Sequence, residues 1–424
     1  MTEKLNKSTL FLAPFLLYFF ISKEFIGVRL FMTKYSHDLL MMSIMAVIFI
    51  FYGFIIVRRR MAPPEPLRLS NYEKVFICLL LLWILLFIVH EILIGDKLRS
   101  IKYAMFMAAL IFLRVYKTVN FPFIARFYIF FVCAVFLAAI SGLALVFITK
   151  ADPSSFAPLS AMYSVLNRPE KYVNPFGLGL ITPDAKISYG PFFFYRVISF
   201  TTEAKFAAML VLVMMVNVCI FLRGRLRSIL LLISLVILIF VHSYAGLATL
   251  LLAAIFFILI RKFDLNPAIM TFFLLIMPAV IHVSTSVIYD RFYKADNYFM
   301  KRIYSVTMQA GGAEKKQKLR VMSSNTWIGI TNPDHKQRVD YGRIGFLLKW
   351  LLFIVYSIFC FDLVNKVKSG LQKFAVILAI VSYYMFWLYF LSEFITPLAV
   401  LLMLTTFFLA QDKRLINDGA LINN

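Results

Sequence analysis

Between positions 196 and 205 the chain reads RVISFTTEAK, which places Arg196, Glu203 and Lys205 just ahead of a long apolar run. Ionisable groups at such a depth are costly to desolvate, so they pair with one another or line a cavity. Glu203 can satisfy Arg196 or Lys205; a structural Arg–Glu pair is the plainer alternative, and Lys205 can snorkel its ammonium to water. A second set lies between 286 and 343. There Arg302, Arg320 and Arg338, with Lys294, Lys301, Lys315, Lys316 and Lys318, outnumber Asp290, Asp296, Glu314, Asp334 and Asp340. A guanidinium matches phosphate oxygens as a two-pronged fork, so this stretch suits an anion-binding mouth for a phosphate or pyrophosphate headgroup. A long solvated loop that is merely basic is the alternative. The same stretch holds a lone histidine, His335, in NTWIGITNPDHKQRVDYGRIGFLL, a polar and glycine-punctuated segment that runs straight into an apolar one.

These groups need a scaffold, and the composition says which kind. The 424 residues are 62% hydrophobic and 15% charged, with a mean hydropathy of +0.85. Soluble domains run near 45–50% apolar and about 25% charged, so the chain reads as an integral membrane protein. Its long apolar runs suit a helical bundle, since a membrane β-barrel shows short alternating segments. The pattern predicts an all-α polytopic protein with about twelve spans, near 9–32, 38–57, 75–94, 102–116, 122–149, 202–222, 227–242, 244–260, 267–285, 344–363, 373–390 and 393–410. The first run, Leu10 to Ile21, lacks a small-residue cleavage site and reads as a span, not as a cleaved leader.

Charge placement orients the bundle. A net charge of +23 on a soluble protein would point to nucleic acid. Here the simpler source is a set of basic connections beside anionic lipid, and no nucleic-acid partner is expected. With a cytoplasmic N-terminus, the inside connections carry Arg58–Arg60, Lys117, Arg223, Arg225, Arg261, Lys262, Lys366, Lys368 and Lys413. Both termini then lie in the cytoplasm, and two long connections lie outside. The expected layout is 1–149 for the first helices, 150–201 for the first outer loop, 202–285 for the central helices, 286–343 for the second outer loop and 344–424 for the last helices and tail. Loops of that length are uncommon unless functional. In the second, 289–308 shows the spacing of an amphipathic helix on the membrane surface, which would floor a cavity or simply anchor the loop.

Other polar features read more plainly. His242 opens HSYAGLATLLLAA and is expected to cap or hydrogen-bond locally, with Ser243, Ala245 and Gly246 permitting close helix approach. Cys78, Cys133, Cys219 and Cys360 fall inside apolar runs without metal-ligand spacing and read as packing residues. No metal site and no cofactor is expected.

Four segments taken in order, RVISFTTEAKFAAML, HSYAGLATLLLA, NTWIGI and HKQRVDYGRIGFL, resemble the O-antigen polymerase (Wzy) and O-antigen ligase (WaaL) superfamily of bacterial envelope glycosyltransferases. The resemblance covers about 196–348. It implies a C-type membrane glycosyltransferase in the bacterial inner membrane, using an undecaprenyl-pyrophosphate-linked oligosaccharide as donor on the periplasmic face, without metal. Its partners would be that lipid-linked oligosaccharide, membrane lipid and a chain-length regulator protein. A polymerase would extend a lipid-linked repeat unit; a ligase would load lipid A-core. Ligases tend to keep Asn after the motif histidine, and Lys336 stands there, which favours the polymerase reading.

For such a reaction the leaving pyrophosphate needs charge stabilisation, for which Arg196, Arg302, Arg320 and Arg338 are the candidates. The acceptor hydroxyl profits from a base. The motif resemblance makes His335 the first candidate, with Asp340 and Glu203 behind it, and imidazole titrates close to working pH; a loop histidine bonded to backbone is the alternative. A lipid-linked oligosaccharide flippase is the rival from another class. It should show repeat halves and mid-span charges, and neither is evident.

Overall fold

The computed structural model describes residues 14–17, 39–48, 50, 71–94, 121–152, 156, 172–189, 192–201, 203–263, 269–274, 276, 342–390 and 397–411. Its principal helices are α1 (Asn71–Ile94), α2 (Phe121–Ile148), α3 (Ala204–Phe221), α4 (Gly224–Val241), α5 (Tyr244–Phe263), α6 (Gly342–Lys366), α7 (Gly370–Ser382) and α8 (Pro397–Gln411). Four of them, α2 to α5, are long and apolar enough to cross a membrane. In lipid the backbone has no water to bond, and a helix satisfies its amides internally. That is why the apolar runs at α2 to α5 become helices within a few residues of the expected limits. Pro122 sits in the first turn of α2, where a missing N–H costs nothing. After Ser382 the chain continues as a π-helical segment, Tyr383–Phe390. Of the remaining expected spans, 102–116 lies outside the described residues, as does the second outer loop up to residue 341, and 9–32, 38–57 and 267–285 are described only in part.

The residues form two compact units. One contains α1 and most of α6, whose apolar faces meet through Phe76 and Tyr356, ring centroids 5.9 Å apart. The other contains α2, α3, α4, most of α5, α7 and α8. At its centre is α3, on which α2, α4, α7 and α8 all pack. From Ala207 to Phe221 every residue of α3 is buried. Tyr128 of α2 donates its hydroxyl to the Leu210 carbonyl at 2.8 Å. Gly246 at the start of α5 meets α3 at Ala208: a Cβ on Gly246 would stand 2.5 Å from the Ala208 Cβ. The small-residue reading of that helix start is therefore realised as a close approach.

Helix directions follow from the ring contacts. Phe121 at the start of α2 meets Phe221 at the end of α3 and Phe408 near the end of α8, with centroids 5.6–6.0 Å apart. So α3 and α8 run parallel, and α2 opposes them. The basic turn at Arg223 and Arg225 belongs to this end, and the connection from α2 to α3 to the other, in keeping with the alternation used to count spans.

That connection, expected as a long outer loop in an all-α protein, adds β structure to the helical bundle. It contains a 3-10 turn (Pro175–Gly177) and an antiparallel hairpin of β1 (Leu180–Tyr189) and β2 (Phe192–Ser199). The segment FFFYRVIS is rich in aromatic and β-branched residues and follows a Gly-Pro pair, a strand-and-turn signature that apolar content alone hides beside a span.

Candidate functional site

The hairpin is fixed to the bundle through residues of both strands. Tyr195 and Val197 of β2 and Ile181 of β1 bury themselves with Val173 against Ala139 and Leu143 of α2. Phe194 stacks near Phe240 of α4 at 5.1 Å, and Tyr195 lies parallel to Phe147 of α2 at 6.0 Å. Close docking needs Gly179, whose φ of +146° and 2.6 Å hypothetical Cβ contact with the Ala139 Cβ leave no room for a side chain. Its N–H donates to the Asn174 side-chain oxygen at 2.9 Å.

Strand alternation then decides where Arg196 goes. Because neighbouring residues point to opposite faces, the burial of Tyr195 and Val197 against α2 sends Arg196 the other way. Thr182 pairs with Arg196 in the ladder, and its hydroxyl donates to the Arg196 carbonyl at 3.3 Å. Directly beyond this pair the register slips: Pro183, Asp184 and Ala185 fall between the Thr182–Arg196 and Lys186–Tyr195 pairs. Proline has no N–H to give to the ladder, and bulges of this kind bend a strand and re-aim the side chains beside them.

A tight turn brings the chain from β2 into α3. Ser199 takes a left-handed φ of +52° and donates its hydroxyl to the Val135 carbonyl of α2 at 3.2 Å. Thr201 donates both its N–H, at 3.2 Å, and its hydroxyl, at 2.7 Å, to the Ile198 carbonyl. Glu203 is the extended N-cap of α3. Its carbonyl accepts the N–H groups of Phe206 and Ala207, while its side chain makes no capping bond. The carboxylate turns instead to Lys205, at 3.0 Å. Lys205 Nζ also lies 5.2 Å from the centre of the Phe206 ring.

The result is an open cleft of about 250 Å³ lined by Tyr172, Thr182, Arg196, Ile198, Glu203, Ala204 and Lys205. Arg196 is half-buried, with its Nε fully covered. Among the described residues, two cations and one carboxylate line the cleft. The first turn of α3, the positive end of the helix dipole, forms one wall. Such a set can hold a phosphoryl oxygen by charge and by hydrogen bonds.

Of the residues singled out by sequence, Arg196 and Glu203 are brought together here, and Glu203 takes Lys205 as its ion-pair partner. Arg302, Arg320, His335, Arg338 and Asp340 lie outside the described residues. Tyr172 and Thr182 were not anticipated; Thr182 is set by its pairing with Arg196, and Tyr172 precedes Val173, which bridges to Ile181. His242 caps α4 in a left-handed conformation, with its N–H on the Leu238 and Ile239 carbonyls at 3.0 and 3.2 Å. Cys133, Cys219 and Cys360 are buried free thiols, and Cys78 is exposed. No protein-family profile, curated protein or solved structure matches this chain.

Proposed function

We propose that this protein is a polysaccharide repeat-unit polymerase of the bacterial inner membrane. It would transfer an undecaprenyl-pyrophosphate-linked glycan onto a lipid-linked repeat unit at the periplasmic face. The observation that carries the reading is the cationic cleft at the hairpin end of the bundle, where Arg196 and Lys205 meet at the start of a membrane helix. A lipid-linked donor keeps its tail in the bilayer and its pyrophosphate at the headgroup level, which is where a helix end with two cations can meet it. Arg196 and Lys205 neutralise the charge that develops on the departing pyrophosphate, a stabilisation that grows as the sugar–oxygen bond breaks. Arg302, Arg320 and Arg338 are the further candidates for binding the pyrophosphate, and His335, ahead of Asp340 and Glu203, is the candidate base for the acceptor hydroxyl. About twelve spans in a C-type glycosyltransferase architecture, with both termini cytoplasmic, belong to the same proposal.

Deletion of the gene followed by inspection of the surface glycan tests it. A product reduced to a single repeat unit supports polymerisation. Long lipid-linked polymer with bare acceptor core means a ligase instead, and repeat units trapped on the cytoplasmic side mean a flippase.

A further inference from the structure

The Glu203–Lys205 pair occupies the place where the cleft should be most attractive to an anion. Among the described residues Lys205 is one of two cations lining the cleft, and its ammonium is 3.0 Å from the Glu203 carboxylate. The Glu203 carboxylate makes no capping bond at the start of α3 and is paired with Lys205 instead. The pair is also soluble in the energetic sense. Its side chains are 33% (Lys205) and 46% (Glu203) exposed, so water screens it and it opens at small cost.

We propose that Glu203 is an intramolecular competitor: it holds Lys205 in the empty cleft and is displaced by the phosphoryl oxygens of the ligand. This rests on the pyrophosphate reading above and adds how the site is regulated. The chemical need is clear. A site at the headgroup level of a membrane faces an excess of phosphodiesters, and a bare pair of cations would bind them and would also hold the spent pyrophosphate carrier after transfer. A tethered carboxylate lowers the affinity for every phosphate. Arg196 and Lys205 then stay available, and the product leaves. Removing the competitor therefore tightens binding, whereas removing a base or a structural partner does not.

The test uses the full chain in detergent micelles at fixed ionic strength, titrated calorimetrically with inorganic pyrophosphate and, separately, with glycerophosphoglycerol as a soluble phosphodiester. Glu203→Gln is expected to tighten pyrophosphate binding about two- to five-fold, the range an exposed ion pair allows. The same substitution should have no such effect in a Lys205→Gln background, and thermal unfolding of each variant verifies that the fold persists. Unchanged or weaker binding in Glu203→Gln, with Arg196→Ala still weakening pyrophosphate, overturns the competitor role and leaves the pyrophosphate reading standing. If Arg196→Ala leaves pyrophosphate binding intact, or if the phosphodiester binds wild type as tightly, the reading fails and the inference falls with it.

Discussion

Asn217 of α3 and Thr405 of α8 meet in the buried interior of the bundle, with Thr405 Oγ1 3.0 Å from Asn217 Oδ1. The Asn217 amide nitrogen donates to the Val213 carbonyl at 2.8 Å, and Thr405 Oγ1 also lies 2.8 Å from the Leu401 carbonyl. Both side chains bond back to their own helices and share one contact across the interface. Thr405→Val should therefore cost about 0.6 kcal/mol, the usual size of an interhelical hydrogen bond in a membrane protein. A double-mutant cycle with Asn217→Leu, read by reversible unfolding in mixed micelles, measures it; a coupling near zero would remove the bond as a contributor.

Gly246→Ala tests the contact with Ala208. Its new methyl would meet the Ala208 Cβ at 2.5 Å, so the helices must part. A loss of about 1–3 kcal/mol is expected, as for overpacked cores generally. Adding Ala208→Gly should restore much of the thermal stability, and failure of that rescue would place the strain elsewhere.

Gly179→Ala joins fold to site. It combines an unfavourable φ with a 2.6 Å clash against Ala139, and both loosen the hairpin from α2. Faster proteolytic cleavage between α2 and α3 is expected, together with weaker pyrophosphate binding, because β2 carries Arg196. Normal anion affinity alongside a protease-sensitive hairpin would separate the two.

Arg196→Ala should abolish glycan extension at normal expression, and Arg196→Lys should restore part of it, since a point charge replaces a fork. Glycan ladders from complemented deletion strains report both. Wild-type ladders in Arg196→Ala would take this residue out of the site.

His335→Ala should reduce chain extension severely while leaving the amount of membrane-inserted protein unchanged. If His335 is the base, the remaining activity should also lose its dependence on pH around the imidazole range, near 6.5. Near-normal long-chain glycan in the variant would leave His335 a structural loop residue.

How far the sequence led differs between scaffold and site. Hydropathy located α2 to α5 closely because burial in lipid asks only for length and apolarity, and 122–149 became Phe121–Ile148. It did not show that α3 is the central helix. No polar stripe marks it, since α3 is apolar on every side, as lipid-facing helices also are. The hairpin was hidden for a related reason: FFFYRVIS is as apolar as the span that follows, and Pro183 speaks against a strand. Arg196, Glu203 and Lys205 stood out because charges are rare at the start of a span. Tyr172 and Thr182 carry no such signal; Thr182 reaches the cleft through its pairing with Arg196, and Tyr172 lies next to Val173, which bridges to Ile181.

The central position of α3 has a consequence for biogenesis. Roughly 150 residues separate Phe221 from Gly370, where α7 begins, so at about 5–20 residues per second α3 waits on the order of ten seconds for two of its neighbours. During that interval Asn217 has no Thr405 to meet, and the helix faces lipid or a holding factor. A nascent chain halted before α7 is thus a half-built bundle with its innermost helix uncovered, the form a membrane quality-control protease would be best placed to detect.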